Sequence, residues 1–130
     1  MIALLDTHAL LWWLEDNPQL GAGAREVVAD PASVVFVSAV SVWEIAIKRA
    51  IGKLRAPDGL TDRIDDAGFE RLPVGFDHAE RVGSLPLHHG DPFDRLLVAQ
   101  ALVEGATLVT SDRLIEAYDV PRLAARAPDA

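Results

Sequence analysis

The sequence contains no cysteine among its 130 residues. A disulfide framework and a thiolate metal site are therefore excluded, and we expect a cytoplasmic protein because nothing indicates an oxidising compartment. Long hydrophobic runs are also missing near the start, where Asp6 interrupts the apolar residues before a signal-length stretch forms. The apolar run at residues 9–14 is far shorter than a membrane span, so we predict no membrane insertion.

Basic residues are scarce relative to acidic ones. The chain carries 12 Lys and Arg against 20 Asp and Glu, which gives a formal net charge of −8. This balance argues against binding of nucleic acid by electrostatics alone, because the phosphate backbone is itself negative. A nuclease of this charge would need bound metal ions to attract the phosphate group of its substrate. The same acidity suits a basic protein partner.

The apolar residues indicate the fold. They make up half of the chain, which is enough for one core and predicts a single domain over residues 1–130. Strands are predicted at residues 2–5, 34–37, 71–74 and 107–110, and helices at 7–15, 21–29, 38–51, 57–68, 77–84 and 92–104. This alternation predicts an α/β fold, a three-layer α/β/α sandwich with a mainly parallel central sheet. The tail after about residue 121 is predicted to be partly flexible.

Four carboxylates occupy positions that such a fold brings together. Asp6 and Asp112 each follow a predicted strand, while Glu44 and Asp94 lie on predicted helices. Ligands of parallel α/β sheets bind at the carboxyl ends of the strands, and both strand-end acids fall there. We therefore expect all four carboxylates at one end of the sheet.

Helix capping is the ordinary explanation for several of these acids. Asp6, Asp91 and Asp112 can each cap the helix that follows, and for Asp91 this is the preferred interpretation. Asp94 lies in a first helical turn, where an acid interacts favourably with the helix dipole. Capping does not explain why four acids should meet at one end of one sheet.

Glu44 lies in a largely apolar segment, where a carboxylate is costly unless a cation accompanies it. The ordinary explanation is an ion pair with Lys48, four residues further on, along an exposed polar stripe that also contains Ser41. A functional site can use the same stripe.

Converging carboxylates repel one another, and without a cation some of them stay protonated at neutral pH. A hard divalent ion removes this repulsion. An all-oxygen pocket without cysteine favours Mg²⁺, with Mn²⁺ as an alternative, over Zn²⁺. Hydrolysis of a phosphodiester suits such a pocket, but the residues alone do not choose between RNA, DNA and a phosphomonoester as substrate.

Four short motifs occur in order along nearly the whole chain. They are residues 5–8 (LDTH), 41–48 (SVWEIAIK), 91–95 (DPFDR) and 110–112 (TSD). Together they resemble the PIN-domain family, specifically the VapC-type toxins of type II toxin–antitoxin systems. The resemblance implies a metal-dependent endoribonuclease that usually forms a homodimer and is blocked by a cognate VapB-type antitoxin, which inserts a segment into the acidic groove.

The same resemblance implies roles for individual residues. Asp6, Glu44 and Asp94 would form the acidic core, and Asp112 would support a second metal ion or the water. The residues that would support these acids or contact the substrate are Thr7, Ser41, Lys48, Asp91, Arg95 and Ser111. Among them, Lys48 and Arg95 would orient carboxylates or contact phosphate.

Two other functions fit parts of the pattern. A phosphotransferase of the haloacid-dehalogenase kind would use Asp6 as its nucleophile, but it needs a second Asp where this chain has His8. A catalytically silent PIN-like domain would only bind a protein or RNA partner. The complete acidic set argues against that second alternative.

Other clusters have simpler explanations. The basic group after Glu44 could lead an RNA backbone to the acids, although stabilisation of the helix end is preferred. It comprises Lys48, Arg49, Lys53 and Arg55. The tryptophans could stack on bases, but core packing or a dimer interface is preferred for Trp12, Trp13 and Trp43. The pair His88 and His89 could act as a general base, which hydrolysis with two metal ions does not require.

Overall fold

The computed structural model describes residues 1–88 and 90–128, which contain a five-stranded sheet. The strands are β1 Ile2–Leu5, β2 Val34–Ser38, β3 Glu70–Leu72, β4 Thr107–Thr110 and β5 Arg122–Ala124. They lie in the order β3-β2-β1-β4-β5, and all neighbouring pairs are parallel. The α/β fold with a mainly parallel sheet is confirmed.

The helices follow the predicted segments closely. They are α1 Thr7–Leu14, α2 Ala22–Ala29, α3 Ala39–Ala50, α4 Leu60–Asp66, α5 Phe76–Val82 and α6 Pro92–Glu104. A short 3₁₀ helix, Arg113–Ala117, follows β4 and was not predicted. Within the described ranges, no helix has both the length and the apolar character needed to cross a bilayer.

Strand β1 lies at the centre of the sheet, and alternation of its side chains builds two cores. Leu5 joins a cluster that includes Leu10 of α1, whereas Leu4 joins a cluster that includes Leu97 of α6. Successive side chains of a strand point to opposite faces, so helices cover both sides of the sheet. The layers of the sandwich follow from this arrangement, and both faces of β1 are buried.

The prediction of a flexible tail after residue 121 is wrong for residues 122–124, which form β5. Leu123 pairs with Val109 of β4, and the next residue, Ala125, is fully buried. The backbone of Ala125 donates to the carbonyl oxygen of Thr110 and accepts from the N–H of Gly21. Pairing with the open edge of β4 orders this segment.

From the sequence, His88 and His89 could act as a general base. Of these two residues, His89 lies outside the described residues.

Candidate active site

A cavity of about 350 Å³ opens at the carboxyl ends of β1 and β4, and we call it the acidic cavity. Its carboxylates are Asp6, Glu44, Asp91, Asp94 and Asp112. Thr7, Lys48 and Ser111 line it as well. Four different segments supply the acids, because Asp6 follows β1, Asp112 follows β4, and α3 and α6 contribute the rest. The structure thus brings the four carboxylates singled out in the sequence into one cavity.

Asp6 caps α1 and faces the cavity at the same time. Its Oδ1 accepts a hydrogen bond from the N–H of Ala9 at 2.8 Å, and the residue is 6% exposed. Burial raises the pKa of Asp6, and the charge of Asp112 raises it further. The Ala9 N–H, the Thr110 hydroxyl and His8 oppose the shift. Capping and a role in the site are therefore compatible for this residue.

Glu44 is buried on α3 and held by two donors. The Thr7 hydroxyl donates to Oε1 at 2.5 Å, and Lys48 Nζ lies 2.5 Å from Oε2. Ser41 is fully buried behind them, with its Oγ 3.2 Å from Thr7 Oγ1. The Glu44 carboxylate raises the pKa of Lys48. The ion pair considered from the sequence exists, but its carboxylate is only 6% exposed in the side chain.

Asp91 and Asp112 also act as caps. Asp91 Oδ1 accepts from the N–H of Phe93 at 2.9 Å and from that of Asp94 at 3.3 Å. Asp112 Oδ1 accepts from the N–H of Leu114 at 2.9 Å and so begins the 3₁₀ helix. The capping interpretation of Asp91 is confirmed, and both residues line the acidic cavity as well.

Asp94 has a strongly perturbed environment in the cavity. Its pKa is raised to about 8, first by burial and then by a hydrogen bond to the Asp112 side chain. The negative charges of Asp91, Asp112 and Glu44 add to the shift. Without a bound cation, the raised pKa of Asp94 therefore favours its protonated form at neutral pH.

The side chains that line the acidic cavity have the donor atoms that a hard divalent ion prefers. All the acidic donors are oxygens, and the five carboxylates outnumber the two basic side chains in the lining, Lys48 and Arg126. As the side chains are placed, no three His, Asp or Glu residues in 1–88 and 90–128 converge closely enough to hold one ion together. Glu44 instead faces Lys48 and Thr7. The residues present fit Mg²⁺ or Mn²⁺ by charge and donor type.

The structure does not place Arg95 in the acidic cavity, although the resemblance of the motifs to the PIN-domain family implied a role for it there. Its guanidinium donates to the carbonyl oxygen of Pro86 at 2.9 Å, to the Tyr118 hydroxyl at 3.0 Å and to the carbonyl oxygen of Val82 at 3.2 Å. Consecutive residues of an α-helix point about 100° apart, so Arg95 faces away from its neighbour Asp94. Arg95 ties α6 to the end of α5, to Pro86 beyond it and to Tyr118, and it does not orient the carboxylates.

Three residues that sequence reasoning did not assign to the site also line the cavity: His8, Trp12 and Arg126. His8 and Trp12 are four residues apart on α1, and their ring centroids are 6.0 Å apart. This helical spacing after Asp6 is the signal that could have found them. Arg126 gave no such signal, because it reaches the cavity only through the course of the chain after β5.

The preferred packing role holds for two of the three tryptophans. Trp12 is 7% exposed, and Trp13 packs against the ring of Phe69. Trp43 is 54% exposed, and its ring contacts the edge of Phe93 at a centroid distance of 4.8 Å. Core packing is therefore wrong for Trp43, because α3 turns this side chain to the surface.

A parallel α/β sandwich with an acidic cavity at the carboxyl ends of its strands defines the structural class of this protein. The sequence pattern of the PIN domain family matches residues 3–121. The chain therefore belongs to the PIN domain family.

Individual relatives agree with this assignment. Ribonuclease VapC22 of Mycobacterium tuberculosis is 31% identical over 126 residues, covering 92% of this chain and 93% of the relative. Ribonuclease VapC16 of the same organism is 37% identical over 71 residues, or 48% of this chain and 49% of the relative. Both relatives are similar to this chain along the segments they cover.

Solved structures share the fold at lower identity. A chain in the crystal structure of VapBC2 from Rickettsia felis, bound to a DNA fragment from its promoter, superposes with a TM-score of 0.71 at 17% identity. The match covers 95% of this chain and 98% of that one. A chain of FitAcB from Neisseria gonorrhoeae gives a TM-score of 0.61 at 21% identity, covering 95% and 97%.

Proposed function

We propose that this protein is an endoribonuclease that depends on Mg²⁺ or Mn²⁺ and acts as the toxin of a toxin–antitoxin pair. The observation that carries the proposal is the convergence of Asp6, Glu44, Asp94 and Asp112, from four segments, on one cavity. The similarity to a protein named ribonuclease VapC22 supports RNA as the substrate. The shared fold with VapBC complexes supports a VapB-type antitoxin as partner.

The four carboxylates would hold metal ions between them, and these ions would supply an activated water and stabilise the leaving oxygen. Thr7 and Lys48 fix the orientation of Glu44, since each contacts one of its two oxygens. Binding of a cation would favour the ionised form of Asp94, whose pKa is raised to about 8 by burial and by the neighbouring acids. In this proposal Asp91 stays a cap at the rim of the cavity, and the Ser111 hydroxyl holds the chain after β5 by accepting from the Arg126 N–H.

The proposal includes a cytoplasmic homodimer. Exposed apolar side chains support an interface between copies, because large apolar groups on a surface favour association. Trp43 is 54% exposed, Leu87 81% and Phe76 92%. The net charge of −8 also suits a basic segment of an antitoxin at the acidic cavity.

Cleavage of labelled single-stranded RNA by the purified chain tests the enzymatic part. We expect cleavage with Mg²⁺, none with EDTA, and none by Asp94→Asn or Asp6→Asn. Asp66→Asn, an exposed change of the same charge on α4, is the matched control and should cleave as wild type does. Metal-independent binding without cleavage would instead support the catalytically silent domain. A DNA strand of the same sequence tests the preference for RNA.

Growth of a bacterial host tests the toxin role. We expect expression of the wild-type chain alone to arrest growth and expression of Asp94→Asn to leave growth unchanged. Co-expression of the neighbouring reading frame should restore growth if it encodes the antitoxin. Equal arrest by wild type and Asp94→Asn would separate toxicity from the acidic cavity.

A further inference from the structure

A second cavity of about 290 Å³ adjoins the acidic cavity and shares Ser111, Asp112 and Arg126 with it. Three arginines from separate segments line it: Arg113 in the 3₁₀ helix, Arg122 in β5 and Arg126 after β5. We call this second cavity the arginine groove. The sequence did not reveal it, because its arginines are spread over 14 positions and only the fold brings them together.

The arginines of this groove have no acidic partner within residues 1–88 and 90–128, in contrast to three other arginines of the chain. All three are exposed, and among the described residues none of them forms an ion pair. Arg113 and Arg122 also donate no side-chain hydrogen bond within the described ranges. Arginines that do form an ion pair with a carboxylate are Arg25, Arg49 and Arg71.

Arg126 is held in place where the two cavities meet. Its guanidinium lies 5.2 Å from the centroid of the Trp12 ring, and its Nη1 donates to Gln19 Oε1 at 3.2 Å. Its backbone N–H donates to Ser111 Oγ, and Arg126 forms an isolated antiparallel β-bridge with Leu20. A guanidinium held in this way loses little freedom when it binds an anion, and it keeps further N–H donors for that purpose.

The charge of the groove contrasts with that of the protein. Its three arginines face two carboxylates, Asp112 and Glu116, within a chain of net charge −8. Guanidinium groups bind phosphate through paired N–H donors, and a continuous set of them follows a nucleic-acid backbone. The competing basic cluster is partly neutralised, because Lys48 pairs with Glu44 and Arg49 with Asp58.

We infer that the arginine groove binds backbone phosphates of single-stranded RNA on one side of the cleavage point. The inference rests on the proposed function, since the adjoining acidic cavity would cut the strand. It assigns Arg113, Arg122 and Arg126 to substrate binding, and it sets the direction in which the strand leaves the acidic cavity, towards the edge strand β5.

Binding of a fluorescent single-stranded RNA to the full chain in Mg²⁺ tests the inference. Asp94→Asn serves as the parent, so that cleavage does not interfere, and Arg113→Gln, Arg122→Gln and Arg126→Gln are added to it. We expect each to weaken binding about fivefold, as an exposed charge contact does. Each should also reduce the slope of log affinity against log salt by about 0.7. The matched controls Lys53→Gln and Arg55→Gln should change neither quantity.

Cleavage by chains with Asp94 intact separates the inference from the proposed function. We expect the arginine substitutions to raise KM more than they lower kcat. If wild type cleaves RNA while Arg113→Gln and Arg122→Gln bind and cleave it unchanged, the inference is overturned and the proposed function stands. If wild type cleaves no RNA, the proposed function fails, and the binding series still decides about the groove. Loss of affinity for the antitoxin but not for RNA would make the groove a protein-docking surface and overturn the inference.

Discussion

The two sides of the acidic cavity differ in how their negative charge is balanced. On one side, Glu44 is buried and receives a hydrogen bond from Thr7 and an ion pair from Lys48. On the other side, Asp94 faces Asp112, and its pKa rises to about 8 because of burial, the hydrogen bond to the Asp112 side chain and the nearby negative charges. The protein thus completes the Glu44 side by itself, whereas the Asp94 side requires a bound cation or a proton.

The largest expected effect follows from removing charge on the side that requires a cation. Asp112→Asn keeps the oxygen that caps the 3₁₀ helix, but it withdraws a negative donor from the cavity. We expect RNA cleavage in Mg²⁺ to fall about 100-fold. Asp119→Asn, exposed and nearby in sequence, is the control with the same charge change. A loss below threefold for Asp112→Asn would show that this side does not depend on its full charge.

The second effect concerns the stability of the Glu44 side. Thr7→Val removes the hydroxyl that donates to the buried Glu44 carboxylate and leaves that oxygen without this partner. We expect the free energy of unfolding to fall by about 2 kcal/mol, because the lost hydrogen bond is to a charged group. Urea unfolding measures it, and Thr7→Ser, which keeps the hydroxyl, should recover most of the loss. Equal losses in both variants would assign the effect to packing.

A smaller effect should come from the ion pair on the same side. Lys48 is 36% exposed in its side chain, so solvent screens its attraction to Glu44. A double-mutant cycle with Lys48→Gln and Glu44→Gln should give a coupling of about 1 kcal/mol in urea unfolding. Arg49→Gln with Asp58→Asn, an exposed pair, is the comparison and should couple by less. Equal coupling in the two cycles would contradict the view that burial strengthens the Glu44 pair.

The comparison also shows what the sequence could predict. Strands β1, β2 and β4 are runs of apolar residues, so their positions and the acids at their ends could be found from the pattern. Strand β5 has two exposed residues out of three and forms by pairing with β4, so no hydrophobic pattern marks it. An edge strand ordered by backbone hydrogen bonds is poorly marked in a sequence.

The directions of the side chains in the site were harder to predict from the sequence than the positions of the residues. Asp94 and Arg95 are adjacent in one motif, yet one lines the acidic cavity and the other binds carbonyl oxygens elsewhere. Helical geometry separates them, but the face that turns towards the cavity is decided by tertiary packing. Arg126 shows the converse case, because it comes to lie beside the Trp12 ring only after β5 has joined the sheet.

The last expected effect, no larger than the ion-pair coupling, is a dependence of stability on pH that is specific to the Asp94 side. The pKa of Asp94 is about 8 in the folded chain and returns towards 3.8 on unfolding, so the folded state binds more protons between these values. Stability of the metal-free chain therefore falls as the pH rises from about 4 to about 8. The side chain introduced by Asp94→Asn cannot ionise. Calorimetry in EDTA should therefore show the Tm of this variant a few degrees above that of wild type at pH 8. This shift corresponds to a free energy of unfolding about 1 kcal/mol higher, after allowance for solvent screening. The difference should shrink towards pH 5, whereas Asp66→Asn should give no such trend. A difference independent of pH would mean that the Asp94 side is balanced without a cation, which would remove the contrast with the Glu44 side.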